Sequence, residues 1–358
     1  MLTQERLEMR EQQATKGKLT PEEQARLMKD RMDKLMDKKL IREMTVRIKE
    51  RISVLPSPLN KRVTEFVVGN AGKMLRPTLL VQTARLLGAT GDKLEEAKDS
   101  GIAVELLHSM TLMHDDILDG APLRRGKPSY HRLHGIEKAL HDGDVLHAYA
   151  LTLVKDPKCV DLMLDISYQV SKGSFFELEP RFDGKFDLSK EYITNILRLK
   201  TAIVFYGCVR VSCIITNREE LGDKLEPIIM NAGVAFQLQD DILDIVGEKI
   251  KFGKESYWDI QESKRNHALF FALQEPEGKK IREIYEKPTG EKTSKDIEFV
   301  LEVFRRATVL GRMIKMRDDY LDSCLSGLEE LMEGADEIDY DFFDYLRDLI
   351  IYLVRRDK

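Results

Sequence analysis

The sequence predicts an all-α fold, and three observations support this prediction. Apolar residues recur at three- and four-residue spacing, the spacing of one helix face, along almost the whole chain of 358 residues. Convincing alternation of apolar and polar residues, which half-buried strands would show, is absent. Prolines and glycines punctuate the pattern without forming linkers, and 42% of the residues are hydrophobic. We therefore expect one large helical domain with an appendage.

The appendage comprises residues 1–45, a charged segment that is predicted to contain one amphipathic helix. Thr20 and Glu23 match a capping box, with Pro21 at the first helical position. Apolar side chains then follow at helical spacing: Leu27, Met28, Met32, Leu35, Met36 and Leu40. This stripe packs either on a partner subunit or on the protein's own body, and the sequence leaves both alternatives open.

The body, residues 46–358, is predicted to be helical throughout. Periodicity places its helices at residues 63–68, 78–87, 93–114, 143–154, 160–179, 190–216, 226–246, 264–274, 296–326 and 340–354. The lysine-rich segment 278–295, which contains Pro288 and Gly290, has the composition of a solvated loop between helices. We assign this segment no chemical role.

Charge and composition exclude several classes of function. A net charge of −5 and a pI near 5.9 give no general attraction to nucleic acid or to anionic membranes. The most apolar run, residues 202–216, is interrupted by Arg210 and is too short for a membrane span, which needs about 20 residues. The N-terminus lacks a signal-peptide stretch and the cysteines lack metal-type spacing, which favours a cytoplasmic location.

One acidic string, Asp-Asp-Ile-Leu-Asp, occurs twice, at residues 115–119 and 240–244. We call Asp115, Asp116 and Asp119 the first aspartate motif, and Asp240, Asp241 and Asp244 the second aspartate motif. The first and last aspartates of each motif are four residues apart, so they share a helix face and their carboxylates repel one another. Each motif also lies where an apolar helical run is about to end, at the negative end of the helix dipole. The dipole costs roughly 0.3–1 kcal/mol per exposed charge, and bound cations would offset this repulsion.

The two aspartate motifs predict a magnesium site. Their oxygen ligands have no accompanying histidine or cysteine set, which favours Mg²⁺ over zinc. Because Mg²⁺ is usually held by one or two carboxylates together with substrate phosphates, the motifs also predict a phosphorylated ligand between them. Two solvated, acidic helix ends are the alternative, and a single motif would favour that interpretation. The repetition of one string after the same kind of helix favours the metal site.

Basic residues cluster at loops or helix starts, where they suit an anionic ligand. Lys73 and Arg76 lie in a Gly-Lys-Met-Leu-Arg-Pro string and can converge on an anion. Arg124 begins the next cluster five residues after the first aspartate motif, and guanidinium groups match diphosphate oxygens bidentately. The remaining members of these clusters are Arg125, beside Arg124, and Lys254 and Lys264, which follow the second aspartate motif.

Taken together, these motifs resemble the trans-isoprenyl diphosphate synthase family, of the geranylgeranyl and farnesyl diphosphate synthase type. The resemblance runs from about residue 45 to the C-terminus, and it also includes the strings Lys200-Thr201 and Phe236-Gln237. It implies an isoprenoid synthase fold, in which long helices surround a deep central cavity and the two aspartate motifs face each other at its mouth. It also implies a homodimer.

The resemblance implies the condensation of isopentenyl diphosphate with an allylic diphosphate, by ionisation, condensation and elimination. Negative charge builds on the leaving diphosphate when the allylic carbon–oxygen bond breaks. Several Mg²⁺ ions on the six aspartates would stabilise this charge. The basic residues implied in the same role are Arg124, Lys200, Lys254 and Lys264.

The second substrate, isopentenyl diphosphate, would be held apart from the metals. The resemblance assigns it to Lys73, Arg76, His108 and Arg125. The Lys200 carbonyl and the polar atoms of Thr201 and Gln237 would shelter the allylic cation. The released diphosphate would then accept the proton, since no poised general base occurs in the motifs.

Product length is expected to depend on the residues that precede the first aspartate motif. Met110 and Thr111 lie five and four positions before Asp115, so they point down the same helix face toward the growing tail. In the family a bulky aromatic residue there stops growth early, while alanine or serine lets the chain lengthen. Methionine is intermediate and flexible. We therefore expect geranylgeranyl diphosphate as the main product, with farnesyl or longer prenyl products as alternatives.

Other function classes remain open. A class I terpene cyclase shares the fold, but its second motif usually contains asparagine, serine and glutamate, where this chain repeats aspartates. A non-catalytic subunit of a heteromeric synthase would be expected to lose aspartates, and all six are present. An all-helical nucleotide pyrophosphatase would not require Lys73 and Arg76. The family usually has an aspartate where this chain has Glu177, which leaves the role of that helix open.

Overall fold

The structure is a computed structural model that describes residues 37–69, 72, 74–183, 188–247, 258–333 and 340–356. It confirms the predicted all-α class. The helices are α1 (Lys38–Ser53), α2 (Leu59–Val67), α3 (Leu75–Leu86), α4 (Gly91–Leu118), α5 (Tyr130–His134), α6 (Ile136–Thr152), α7 (Pro157–Asp183), α8 (Lys190–Leu197), α9 (Ile203–Ile215), α10 (Glu219–Val246), α11 (Trp258–Gln261), α12 (His267–Ala272), α13 (Gly278–Tyr285), α14 (Ser294–Phe304), α15 (Ala307–Glu333) and α16 (Tyr340–Val354). A π-helical turn, Arg198–Ala202, joins α8 to α9.

Strands are limited, in the described part of the chain, to one short hairpin. Strands β1 (Leu123–Arg124) and β2 (Lys127–Pro128) pair antiparallel directly after α4. Arg125 and Gly126 have positive φ values of 52° and 77° at the turn. The hairpin therefore turns the basic string back toward the end of α4.

Long helices pack into two adjoining apolar cores. In the larger core, α4 packs against α3 and α6, and α9 packs against α3 and the start of α10. In the second core, the C-terminal half of α10 packs with α12, α14 and α15. No helix among the described residues is long and apolar enough to cross a membrane.

Both aspartate motifs lie at helix ends, as the sequence predicted. Asp115 and Asp116 belong to the last turn of α4, and Asp119 is its C-cap residue. Gly120 follows with a φ of 60°, a conformation that lets the chain leave the helix. The second motif lies in the last turns of α10, which ends at Val246 before Gly247.

Helix α1 begins at Lys38 and crosses the boundary predicted at residue 45. Asp37 caps it, since its side chain accepts hydrogen bonds from the backbone of Lys39 and Leu40. Leu40 and Met44 are buried in the larger core. That core therefore includes residues on both sides of the predicted boundary. The capping box at Thr20 and the apolar stripe up to Met36 lie outside the described residues.

Two predictions about the C-terminal region are wrong. The segment 278–295 is not simply a solvated loop, because its first half forms α13 with Ile281 and Ile284 buried. Its many lysines masked this short apolar stripe, and Lys292 itself is buried, with its ammonium donating to the Gln261 and Lys287 carbonyls at 2.8 and 2.9 Å. The helix predicted over 296–326 is two helices, because α14 ends at Phe304 and α15 begins at Ala307.

Candidate active site

A cavity of about 640 Å³ lies between α4, α7, α9 and α10. Its size is within the range of roughly 300–1,000 Å³ that is usual for small-molecule sites. Many of the residues singled out in the sequence line it: Arg76, His108, Met110, Thr111, Asp115, Lys200, Thr201, Gln237, Asp241 and Lys264. Residues that are far apart in the chain therefore share one cavity.

The first aspartate motif divides between the cavity and the protein interior. Asp115 lines the cavity, where its Oδ1 lies 3.5 Å from Lys200 Nζ. Asp119 pairs with Lys264, whose Nζ is 3.0 Å from Asp119 Oδ2. Asp116 is only 1% exposed and receives two hydrogen bonds from Arg124, at 2.6 and 2.7 Å. Asp116 and Arg124 thus form a buried pair that fixes the hairpin to the end of α4.

The second aspartate motif divides in a similar way. Asp241 lines the cavity and accepts a hydrogen bond from Gln237 Nε2 at 3.1 Å. Asp240 instead pairs with Arg356, whose guanidinium lies 4.4 Å from the centre of the Phe236 ring. Asp244 is exposed. The expectation that six carboxylates meet at the mouth therefore holds for Asp115 and Asp241, which share the cavity.

Two lysines stand between the acidic groups at the cavity mouth. Lys200 Nζ lies 2.6 Å from Glu177 as well as near Asp115, and Lys264 Nζ lies 3.2 Å from Asp259. Burial alone would lower the pKa of Lys200, but the two carboxylates outweigh it and raise that pKa. Carboxylates act in the same way on Lys264 and raise its pKa well above the usual value. Both ammonium groups therefore stay charged at neutral pH.

Acidic charge at the mouth exceeds what these lysines neutralise. Burial raises the pKa of Asp241 to about 8, and the neighbouring carboxylates of Asp259 and Asp244 add to the effect. An added cation would favour the ionised form of this side chain. Oxygen donors from Asp115, Asp119 and Asp241 suit magnesium.

A metal ion here would need ligands from a substrate as well. Among the described residues, no three acidic, histidine or cysteine side chains are grouped closely enough to hold an ion. The carboxylates instead pair with cationic side chains: Asp115 with Lys200, Asp119 with Lys264 and Asp240 with Arg356. Diphosphate oxygens would have to complete the coordination, which is the usual arrangement for magnesium in proteins.

A second polar group lies beside the start of α3. Arg76 and His108 line the cavity, and the Arg125 guanidinium packs against Gly72. Burial lowers the pKa of His108 well below its usual value, and the nearby arginines add to this, so the imidazole is neutral. The Nε atom of Arg76 is buried and has no hydrogen-bond partner among the described residues. The Arg76 Nε–H group is therefore a donor that an anion could use. Lys73 and Lys254 lie outside the described residues.

The π-helical turn presents Lys200 and Thr201 to the cavity. Such turns widen a helix locally and occur frequently at functional sites. Thr201 Oγ1 donates to Gln237 Oε1 at 3.1 Å, so a chain of hydrogen bonds runs from the turn through Gln237 to Asp241. Gly173 on α7 makes room for this arrangement, since a Cβ atom there would lie 2.7 Å from Lys200 Cγ.

Several site residues were missed in the sequence. Trp258 Nε1 donates to the Asp119 carbonyl at 3.0 Å, and Asp259 lines the cavity. Arg356 reaches the second aspartate motif from the C-terminal end of the described chain. Glu105, buried near Arg76, has its pKa raised by burial. None of these has a spacing signal, because tertiary packing alone brings them to the site.

Comparisons with known proteins agree with this geometry. The family model for polyprenyl synthetases matches residues 57–304, which is more than half of the chain. The geranylgeranyl diphosphate synthase of Saccharolobus solfataricus is 31% identical over 76% of this chain and 88% of its own length. The geranylfarnesyl diphosphate synthase of Aeropyrum pernix is 26% identical over 87% of this chain and 98% of its own.

Solved structures share the fold. The polyprenyl synthase from Caulobacter crescentus CB15, crystallised with calcium and isoprenyl diphosphate, has a TM-score of 0.79 and 27% identity. The match covers 92% of this chain and 98% of that one. A crystallised geranylgeranyl pyrophosphate synthase matches with the same TM-score and 26% identity, over 90% of this chain. The chain therefore belongs to the polyprenyl synthetase family.

Proposed function

We propose that the protein condenses isopentenyl diphosphate with an allylic diphosphate and makes geranylgeranyl diphosphate as its main product. It is a trans-prenyltransferase of its family. The observation that carries the proposal is the polarity of the cavity. Asp115, Asp241 and Lys200 lie at its mouth, whereas Leu107, Val170 and other apolar side chains line its depth. A prenyl diphosphate has the same division between a charged head and an apolar tail.

The allylic diphosphate would bind with its head at the mouth. Asp115, Asp119 and Asp241, completed by diphosphate oxygens, would hold magnesium, which neutralises charge on the leaving group when it is bound. The calcium in the related Caulobacter structure supports a divalent ion. Lys200 and Lys264, both charged, would donate hydrogen bonds to the diphosphate as negative charge develops on it.

The other substrate would bind at the second polar group, beside α3. Arg76, His108 and Arg125 would hold isopentenyl diphosphate through charged and neutral donors, with Lys73 as a further predicted ligand. Thr201 and Gln237, which are fixed to one another by a hydrogen bond, would present oxygen atoms toward the allylic carbon. Preorganised dipoles of this kind stabilise a developing cation without reorganisation.

The walls of the cavity support the proposed product length. Met110 and Thr111 line it, and it continues past them to Val104 on α4 and Met163 on α7. A flexible methionine at that level narrows the cavity without closing it. The relative from Saccharolobus solfataricus is a geranylgeranyl diphosphate synthase, which agrees with this length.

The decisive test is elongation in vitro. Purified protein is incubated with labelled isopentenyl diphosphate, Mg²⁺ and each allylic primer, and the products are separated by chromatography. We expect geranylgeranyl diphosphate, loss of product in EDTA, and loss of product in the variant Asp115→Asn. Asp319→Asn, at an exposed position on α15, is the matched control and should behave as the wild type. No elongation with any primer would reject the proposal, and cyclic hydrocarbons would favour a terpene cyclase.

A homodimer is also proposed. Exposed apolar side chains on three consecutive helices support it, since single exposed apolar residues are ordinary but a larger exposed apolar surface often marks an interface. They are Leu133 on α5, Ile136 and Leu140 on α6, and Leu164, Tyr168 and Phe175 on α7. Light scattering after size-exclusion chromatography would give the mass directly. The cytoplasmic location stays a prediction.

A further inference from the structure

We propose that Ile166 and Gly207 form a second length-determining wall of the cavity, deeper than Met110. The inference rests on the proposed function, because it concerns the tail of the growing prenyl chain. Ile166 lies on α7 and Gly207 on α9, and both line the cavity. No motif in the sequence marks either residue.

The depth of this pair follows from the way α7 and α9 run. Near the mouth, Gly173 of α7 faces Lys200. Ile166, seven residues before Gly173 on α7, faces Gly207, seven residues after Lys200. The two segments are therefore antiparallel, and a rise of 1.5 Å per residue puts the pair roughly 10 Å below Lys200. Met110, five residues before Asp115, lies roughly 7 to 8 Å below the first aspartate motif by the same rule.

Glycine at position 207 decides where the Ile166 side chain lies. A Cβ atom built on Gly207 would overlap Ile166 Cδ1. The end of Ile166 therefore occupies space that any other residue at position 207 would take. Without that Cβ atom, Ile166 rests against the α9 backbone and leaves the adjoining part of the cavity open.

A side chain at position 207 would force Ile166 into the cavity. The neighbours Cys208 and Val209 are fully buried in the larger core, and close-packed protein interiors contain few voids that could receive a displaced methyl group. The open space next to Ile166 is the cavity itself, which it lines while half-buried. The size of residue 207 thus sets how far Ile166 projects toward the prenyl tail.

The test is a cycle of variants read by product length. Gly207→Ala should push Ile166 inward and shorten the products. Ile166→Val removes Cδ1, so the space against Gly207, which also lines the cavity, should open to the prenyl tail and lengthen the products. The double variant Ile166→Val/Gly207→Ala should return toward the wild-type distribution. In it the added Cβ atom lies 3.5 Å from the position of Ile166 Cγ1, an ordinary van der Waals distance.

The expected change is at least about fourfold in the ratio of the main product to its neighbour, which is the effect of one buried methylene group. Gly311→Ala is the matched control, because Gly311 is exposed and no atom lies within 4 Å of the Cβ it would add on α15. It should leave the distribution unchanged. If Gly207→Ala does not fold, as judged by circular dichroism, Ile166→Val and the double variant still measure the effect.

The outcomes separate this inference from the proposed function. Normal elongation by the wild type with unchanged product ratios in the Ile166 and Gly207 variants would overturn the inference alone. No elongation by the wild type would overturn both. Opposite shifts in the single variants, cancelled in the double variant, would establish the wall.

Discussion

Adjacent aspartates in each motif have different partners, and this difference defines the site at the scale of single residues. Asp115 faces the cavity and Lys200, while Asp116, the next residue, is buried against Arg124. Successive helical residues point about 100° apart, so the two side chains have different surroundings. Within each string one aspartate therefore lines the cavity and its neighbour forms an ion pair with an arginine.

Replacement of Met110 tests whether this residue of the cavity wall limits product length. Replacing Met110 with alanine removes a flexible side chain from the cavity wall beside α4. We expect longer products. The ratio of the next longer product to the main product of the wild type should rise by at least about fourfold. Chromatography of the labelled products measures this ratio. An unchanged distribution would show that Met110 does not limit growth.

Trp258 tests how the first aspartate motif is held in place. Trp258→Phe keeps the ring but removes the hydrogen bond to the Asp119 carbonyl. A lost hydrogen bond of this kind costs about 1 kcal/mol, so we expect the Mg²⁺ concentration for half-maximal turnover to rise roughly fivefold. The measurement is the initial rate across a Mg²⁺ titration. A rise in KM for isopentenyl diphosphate alone, at an unchanged Mg²⁺ requirement, would contradict the assigned role.

Close approach between helices explains the site at the scale of elements. The π-helical turn carries Lys200 and Thr201, and α10 carries Gln237 and Asp241. The two meet because Gly233 on α10 packs directly on the Ala202 backbone. The hydrogen bond between Thr201 and Gln237 depends on this short separation.

Gly233→Ala tests that contact. The added Cβ atom would overlap Ala202 Cα, a backbone atom that can move only if one of the two helices shifts. We expect the free energy of unfolding to fall by roughly 1–3 kcal/mol, as for overpacked cores. Urea denaturation monitored by circular dichroism measures this change. Gly311→Ala is again the control, and it should be neutral or stabilising, since alanine favours a helix by about 0.5–1 kcal/mol over glycine. Equal stability of the two variants would refute the contact's importance.

At the scale of the whole molecule, helices from distant parts of the chain bring acidic groups together at one cavity mouth. The net charge of the protein is only −5, so the imbalance is local. Asp241 shows it most clearly, because the carboxylates of Asp259 and Asp244 add to the effect of burial, and its pKa is raised to about 8. A bound divalent cation would relieve this local excess of buried acid.

Ligand-induced stabilisation tests the charge imbalance without reference to turnover. Mg²⁺ with inorganic pyrophosphate at about 100 times its dissociation constant should stabilise the fold by about 2.7 kcal/mol. Mg²⁺ alone should stabilise less, since the carboxylates of the described residues do not form a complete ligand set. Thermal unfolding monitored by circular dichroism measures the shift, and EDTA should reverse it. The variant Asp115→Asn should show a smaller shift, and an equal shift would exclude Asp115 as a ligand.

The sequence by itself determined the helices, the helical ends at which both aspartate motifs lie, and the basic clusters that follow them. These features are local, because helical periodicity and capping depend on residues a few positions apart. The same locality explains the error over residues 278–295, where lysine-rich composition hid a short buried stripe in α13.

Only the tertiary structure decided which aspartates face the cavity and which pair with Arg124 and Arg356. It also brought Trp258 and Asp259 to the first aspartate motif and placed Ile166 against Gly207. Such neighbours depend on how closely two helices approach and on the direction in which each runs. Periodicity fixes the face on which a residue lies, but it does not fix what that face meets.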